Sequence, residues 1–187
     1  TRNVPDELRF QSEAAIYGGD GVGKPLGIIV APGLVTFART DASKVQYPDI
    51  AAMYARRLGN GPFVWLINRG VMPQLMQLAG TYQYVWLPPG GAVSGPNAQL
   101  LGFPVVEVEY APAMGTLGDI VLADLSKYQT ITKGGVESAS SIHVKFINDE
   151  TAFRFVYRIA GAPMLSSAVT PYKGSSMGHF VALTAAS

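Results

Sequence analysis

A glycine-rich stretch, YGGDGVGKP at residues 17–25, carries the residue types of a phosphate-binding loop. Gly18, Gly23 and Lys24 have the G-x-x-x-x-G-K spacing, in which backbone N–H groups and a lysine hold nucleotide phosphates. Such a loop follows a strand, opens a helix and places Ser or Thr after the lysine. Here a helix is predicted before the loop and an extended run after it, and Pro25 occupies the hydroxyl position. We therefore predict a helix stop followed by a turn, and a small nucleotide-binding enzyme that uses Gly18–Lys24 is kept as an alternative.

A second stretch, Gly174–Gly178, fits the G-x-S-x-G pattern in which a strained turn presents a nucleophilic serine. Hydrolases with this turn place their acid and their histidine later in the chain. After Ser176 the chain contains His179 but no Asp or Glu, and the remaining residues suffice for one strand only. We therefore predict a polar turn before a terminal strand.

The other side chains that could act in acid/base catalysis or metal binding do not form a recognisable site. Glu107 and Glu109 have the spacing of one strand face, where carboxylates are usually solvated or paired with a cation. His143 and His179 are the only histidines, and the chain contains no cysteine, so a metal site is not expected. The sequence predicts no catalytic residue, no metal, no cofactor and hence no enzyme.

The composition indicates a chain that buries a large core and contacts other chains. Charged residues make up 14% of its 187 residues, against roughly 25% in an average soluble domain, and mean hydropathy is +0.21. A net charge of +1 gives no strong attraction to nucleic acid or to an anionic membrane. Every apolar run is interrupted well short of the ~20 residues that span a bilayer.

Hydrophobic periodicity predicts helices and buried strands in a mixed order, which favours a mixed sheet flanked by helices. Predicted helices cover residues 5–17, 49–58 and 71–79. Predicted strands cover residues 63–68, 104–110, 119–125, 143–147 and 179–185. Residues 153–159 alternate apolar and other side chains, which predicts one long strand with a solvated face. Arg154 and Arg158 lie on that face, and we predict that they form ion pairs between subunits, with ordinary solvated arginines as the alternative.

The order of these segments resembles the major capsid protein family of tailed phages, which has the Hong Kong 97 fold. The resemblance is carried by IYGGDGVGKPLGII (16–29), by PDIAAMYARRL with FVWLINRGVMPQLMQL (48–58 and 63–78), by LLGFPVVEVEYAP with GDIVLADLSKY (100–112 and 118–128), and by FINDETAFRFVYRIAGAP with FVALTAA (146–163 and 180–186). Arg69-Gly70 departs from the proline that the family often has there. The match begins after the family's N-terminal arm, hairpin loop and spine helix, so a C-terminal part of such a subunit is expected.

The resemblance implies an α+β fold with two lobes. A mixed sheet flanked by helices would form an axial lobe, and long antiparallel strands would form a peripheral lobe. Residues 1–37 and 137–163 would belong to the peripheral lobe, and residues 38–136 and 164–187 to the axial lobe. The glycine-rich stretch would then be a turn of the peripheral lobe.

The resemblance also implies a structural subunit of a phage or prophage icosahedral shell that acts by self-assembly. Its partners would be copies of itself in pentamers and hexamers, other virion components such as a portal or scaffold, and packaged DNA held without sequence preference, but no membrane. It would reside in the virion and assemble in the bacterial cytoplasm. The shell protein of an encapsulin-type compartment, which shares the fold, remains an alternative.

Overall fold

The computed structural model describes residues 3–81, 86–87, 98–144, 146–148 and 150–186 of the chain. Its helices in these ranges are α1 (Val4–Gly18), α2 (Tyr47–Ala55) and α3 (Met72–Thr81). Its strands are β1 (Val35–Ala38), β2 (Phe63–Ile67), β3 (Trp86–Leu87), β4 (Gln99–Leu100), β5 (Phe103–Glu107), β6 (Ile120–Asp124), β7 (Tyr128–Thr132), β8 (Glu137–Ser141), β9 (Ala152–Val156), β10 (Ile159–Pro163) and β11 (Phe180–Thr184).

A seven-stranded mixed sheet forms the centre of the molecule, in the order β1-β11-β6-β2-β5-β4-β3. The pairs β1–β11 and β2–β5 are parallel, and the other neighbouring pairs are antiparallel. All five residues of β6 are buried, as are four of the five in β2 and in β11. Strands covered on both faces favour continuous apolar runs, which is why these three were predictable from the sequence.

Helices and loops cover both faces of this sheet. On one face, Ile50 and Met53 of α2 and Leu75 of α3 pack with the buried Trp65. Trp65 also donates its indole N–H to the carbonyl oxygen of Leu100 at 2.9 Å, which satisfies the polar end of the ring.

On the opposite face, Tyr17 at the end of α1 and Ile28 pack against β6 and β11. The Tyr17 hydroxyl donates to the carbonyl oxygen of Gly118, and burial raises the pKa of this phenol. The described ranges contain no helix with the length and apolar character needed to cross a membrane.

The predicted helices are confirmed with small shifts of their ends. The helix predicted from residue 49 begins at Tyr47, because Gln46 and Asp49 form a reciprocal capping box. It ends at Ala55, three residues earlier than predicted. The helix predicted at 71–79 is α3, preceded by a 3₁₀ turn over Arg69–Val71.

Three strand predictions were wrong in part, and the strand predicted at 104–110 is β5, which ends at Glu107. Residues 143–147 form no strand in their described part, since residues 143 and 144 lie in a bend and a turn, and a 3₁₀ turn spans Phe146–Asn148. The long strand predicted at 153–159 is divided into β9 and β10, which pair with different partners, β8 and β7. The division follows from those partners, because β7 and β8 are separated by Gly134, which has φ +72°, and Gly135.

The two-stranded sheets β7–β10 and β8–β9 lie outside the central sheet. Two hydrogen bonds attach the β7–β10 sheet to the segment after α1. The N–H of Leu26 donates to Gly161 O of β10 at 2.8 Å, and the Tyr128 hydroxyl of β7 donates to Leu26 O at 2.8 Å. β7 lies inside the stretch predicted as axial and pairs with β10 from the stretch predicted as peripheral. The lobe boundaries at residues 37, 136 and 163 stay a prediction.

Candidate functional site

Within the glycine-rich stretch, the side chain of Asp20 binds two other residues of the same turn. The Asp20 carboxylate accepts from the N–H of Val22 at 3.0 Å and lies 3.4 Å from Lys24 Nζ. The hydrogen bond from Val22, helped by the Lys24 charge, lowers the pKa of Asp20. Gly21 and Gly23 have φ values of +80° and +68°, which glycine adopts without strain. The lysine of the apparent phosphate motif is therefore already paired with a carboxylate of the same turn.

Gly27, two residues after this stretch, packs closely against the backbone at its start. A Cβ on Gly27 would lie 2.4 Å from the backbone nitrogen of Gly19, whose carbonyl accepts from the Gly27 N–H at 2.8 Å. Helix α1 precedes the turn, an isolated bridge joins Asp20 to Leu26, and the next helix in the described residues starts at Tyr47. No helix N-terminus follows Lys24 to face a phosphate, so the predicted helix stop and turn are confirmed.

Nucleotides are accordingly expected to leave the melting temperature of the protein unchanged. Saturating ATP or GTP with Mg²⁺ should give the same curve as buffer alone, because a ligand stabilises only a fold that binds it. The measurement is a thermal-shift titration, with Lys24→Ala as the control. A saturable rise in melting temperature that Lys24→Ala abolishes would restore the nucleotide-binding alternative.

The apparent nucleophile turn is a polar turn before the last strand, as predicted. Ser176 lies 3.4 Å, oxygen to oxygen, from the Thr170 hydroxyl, and Met177 bridges Val169 on the other side of the turn. β11 begins at Phe180, directly after His179. A nucleophilic serine of this kind lies on a turn between a strand and a helix, whereas the element after Ser176 is a strand.

The predicted carboxylate pair does not share a strand face. β5 ends at Glu107, and Glu109 lies in the turn that follows. Glu107 Oε2 lies 3.5 Å from Arg69 Nε in an exposed ion pair. Among the described residues, no three His, Asp or Glu side chains are grouped closely enough to hold a metal ion.

A fully buried ion pair was not predicted from the sequence. Arg39 follows β1 and Asp119 precedes β6, and both side chains are 0% exposed. The Arg39 guanidinium donates to Asp119 Oδ2 and, through Nε, to the carbonyl oxygen of Thr184 at 3.2 Å. Asp119 Oδ2 also accepts from the N–H of Gly115 at 2.8 Å. The pair joins three strand ends at one edge of the core, which is a structural role.

The two arginines predicted for subunit contacts have different surroundings. Arg158 lies between β9 and β10 and donates to Glu137 of its own chain at 3.2 Å. Arg154 is exposed on β9, opposite Ala139 of β8, and has no ion-pair partner among the described residues. The charge of Arg158 is therefore partly neutralised within the chain, whereas Arg154 faces solvent.

The β8–β9 sheet with its connection, residues 137–156, is called the ribbon below. Four of the five residues in β8 are exposed, and Phe153 of β9 is 67% exposed. In the connection, Val144 is 73% exposed and Ile147 is 97% exposed. A two-stranded sheet with uncovered apolar side chains needs another surface for stability. The sequence analysis missed this surface because the alternation of apolar and other side chains from Phe153 onward was interpreted as a strand whose apolar face is buried within the same chain.

Two solved structures with a similar fold are described as capsids. One solved structure, described as "Capsid of empty GTA particle computed with C5 symmetry", has a TM-score of 0.66 and 15% identity, and the match covers 100% of this chain and 65% of that one. Another, "Capsid of native GTA particle computed with C5 symmetry", has a TM-score of 0.68 and 18% identity, with 100% and 64% coverage. This chain thus spans just under two thirds of the length of each. A search of curated proteins gives no significant match.

These likenesses place the chain in the class of α+β proteins with the capsid fold, as predicted. The sequence profile described as "Phage capsid family" matches residues 2–174, which is most of the chain. The chain belongs to the phage capsid family. The family and its fold are those of structural proteins.

Proposed function

We propose that this chain acts as a structural subunit of a phage or prophage icosahedral shell and functions by association with copies of itself. Its family membership and its fold support a shell subunit. The observation that carries the self-association is the ribbon, whose apolar side chains are left uncovered within one chain. Burial of such side chains stabilises an assembly by roughly 25 cal/mol per Å² of apolar area.

The further proposed partners rest on membership of the phage capsid family. Copies would meet in pentamers and hexamers, with a portal or scaffold as further contacts. Packaged DNA would be held only weakly and without sequence preference, because the net charge of +1 offers few phosphate contacts. The subunit would lie in the virion after assembly in the bacterial cytoplasm, and it would catalyse no reaction.

Sedimentation velocity of the full-length gene product tests this proposal. A shell or capsomer should sediment far faster than a single subunit, and the fast species should grow with protein concentration. One slow species at every concentration would contradict the proposal. Nucleic acid recovered from nuclease-treated particles would indicate a phage shell, whereas a co-purified cargo enzyme would indicate the encapsulin-type alternative.

Removal of the Arg158 charge is expected to affect folding only slightly. Arg158 and Glu137 are 54% and 61% exposed, so Arg158→Ala should lower the free energy of unfolding by less than about 1 kcal/mol. The measurement is urea unfolding of the unassembled protein. A loss of several kcal/mol would contradict this prediction, because an ion pair exposed to this degree should contribute little to stability.

A further inference from the structure

The turn between α2 and β2 places an exposed asparagine directly before a glycine, Asn60 before Gly61. Asn60 is the only asparagine in the chain that glycine follows. Its side-chain amide forms no hydrogen bond within the described ranges. The N–H of Gly61 has no acceptor in those ranges either, whereas the Gly61 carbonyl oxygen accepts from the N–H of Phe63 at 2.9 Å. An unrestrained amide side chain therefore lies next to an unpaired backbone nitrogen.

These two groups have the chemistry to react with each other. The side-chain carbonyl carbon of an asparagine and the backbone nitrogen of the next residue can close a small cyclic imide. Because both groups belong to one chain, the reaction needs no encounter between molecules. Glycine as the second residue leaves the nitrogen open to this ring closure, since it has no Cβ and adopts backbone angles that other residues avoid.

We propose that Asn60 is a site of spontaneous modification, at which the asparagine converts through a cyclic imide into aspartate and isoaspartate. The nitrogen of Gly61 loses its proton to solvent and bonds to Cγ of Asn60, while the Cγ–Nδ2 bond breaks and the amide nitrogen leaves as ammonia. Water then adds to one of the two imide carbonyl groups and opens the ring. Opening on one side gives aspartate, and opening on the other gives isoaspartate, in which the main chain runs through the former side chain. Either product replaces a neutral side chain by a carboxylate, and the reaction does not depend on the proposed shell function.

Asn68 lacks both conditions and serves as an internal comparison. Its Nδ2 donates to the carbonyl oxygen of Ala111 at 2.6 Å, and its Oδ1 accepts from the N–H of Gly70 at 2.8 Å. The residue that follows it is Arg69, which has a side chain. A held amide must first break its hydrogen bonds, so Asn60 should convert at least about tenfold faster than Asn68.

Asp20 is the one aspartate of the chain that glycine follows, and its side chain is also restrained. The carboxylate accepts from the N–H of Val22 at 3.0 Å, and this bond lowers the pKa of Asp20. The carboxylate is therefore ionised at neutral pH, and an ionised carboxylate has no good leaving group for imide formation. We expect modification at Asn60 and not at Asp20.

The isoaspartate product should also destabilise the turn. It lengthens the main chain by one methylene group directly before Gly61, where a Cβ would lie 2.1 Å from Oδ2 of the buried Asp124. On the other side of residue 60, the N–H of Leu58 donates to the carbonyl oxygen of Gly178 at 2.8 Å. The longer chain must displace one of these contacts. The isoaspartate form should therefore melt at a lower temperature than Asn60→Asp, which adds the same charge to an ordinary backbone.

Peptide mapping of the folded full-length protein, before and after incubation at neutral and alkaline pH, tests the proposal. Trypsin releases residues 58–69, a peptide that contains both Asn60 and Asn68, and fragment masses distinguish the two. We expect progressive conversion at Asn60 into both products, with Asn68 intact. The rate should rise with hydroxide concentration, because the attacking nitrogen must lose a proton. Asn60→Ser should abolish the new acidic form seen by isoelectric focusing, and the sample taken before incubation corrects for conversion during digestion.

A second variant separates the effect of the structure from that of the sequence. Arg69→Gly places glycine after Asn68 but leaves the hydrogen bonds of the Asn68 amide in place, so Asn68 should stay intact in the folded variant and convert in urea. Equal rates at Asn60 and Asn68 in the folded variant would overturn the selection of the site by hydrogen bonding. An Asn60 that stays intact in the folded protein but converts in urea would overturn the proposal. Conversion to aspartate without isoaspartate would exclude the cyclic imide.

Discussion

Replacement of Arg39 by methionine is expected to lower the free energy of unfolding by about 3–5 kcal/mol. The change leaves the Asp119 carboxylate buried at 0% exposure without its guanidinium partner. A buried charge without a partner is costly, because water no longer solvates it and no opposite charge replaces the water. The N–H of Gly115 remains as a donor to Asp119, but one neutral donor does not offset the lost cation.

Urea unfolding of the unassembled protein measures this effect. Arg39→Met/Asp119→Leu removes both charges and should recover much of the loss, since an apolar pair of similar volume often stabilises as well as a buried ion pair. Arg9→Met breaks the exposed pair with Glu13 and should change stability far less. Arg39→Met within about 1 kcal/mol of wild type would contradict the assigned role of this pair.

Substitution of Gly27 by alanine is the second large expected effect. The added Cβ would lie 2.4 Å from Gly19 N and 2.7 Å from Gly18 C, and both are backbone atoms that have no alternative rotamer. The segment after α1 must then separate from the helix end, which breaks the 2.8 Å bond between Gly27 N–H and Gly19 O. We expect a loss of about 3 kcal/mol or more, or failure to fold.

The matched control is Gly135→Ala, where a Cβ would meet nothing within 4 Å. It should leave the melting temperature nearly unchanged, so the comparison separates a close backbone approach from the generic effect of replacing glycine. If Gly27→Ala were as stable as Gly135→Ala, the close approach of Gly27 to the end of α1 would not explain the glycine at this position.

The buried strands were predictable because burial on both faces gives them continuous apolar runs. FVWLI in β2 and IVLAD in β6 have this character. In contrast, β7 and β8 read YQTIT and ESASS, and they were missed because strands exposed on both faces need no apolar pattern. The break between β9 and β10 was also hidden, since it depends on Gly134 and Gly135, which lie between the partner strands β7 and β8.

The prediction of a turn in place of a phosphate-binding loop followed from local order and from single residues. Pro25 and the helix before the glycine-rich turn argued against a phosphate loop, and the turn has the predicted character. The Arg39–Asp119 pair could not be predicted, because its members are separated by 80 residues and meet only when the sheet forms.

Electron microscopy of the purified full-length protein tests the central claim most directly. We expect closed shells, or rings of subunits at concentrations below the onset of shell formation. Averaged images should show the central sheet and the ribbon in contact with adjacent copies. Uniform monomers at high protein concentration, under conditions in which the protein is folded, would contradict the account.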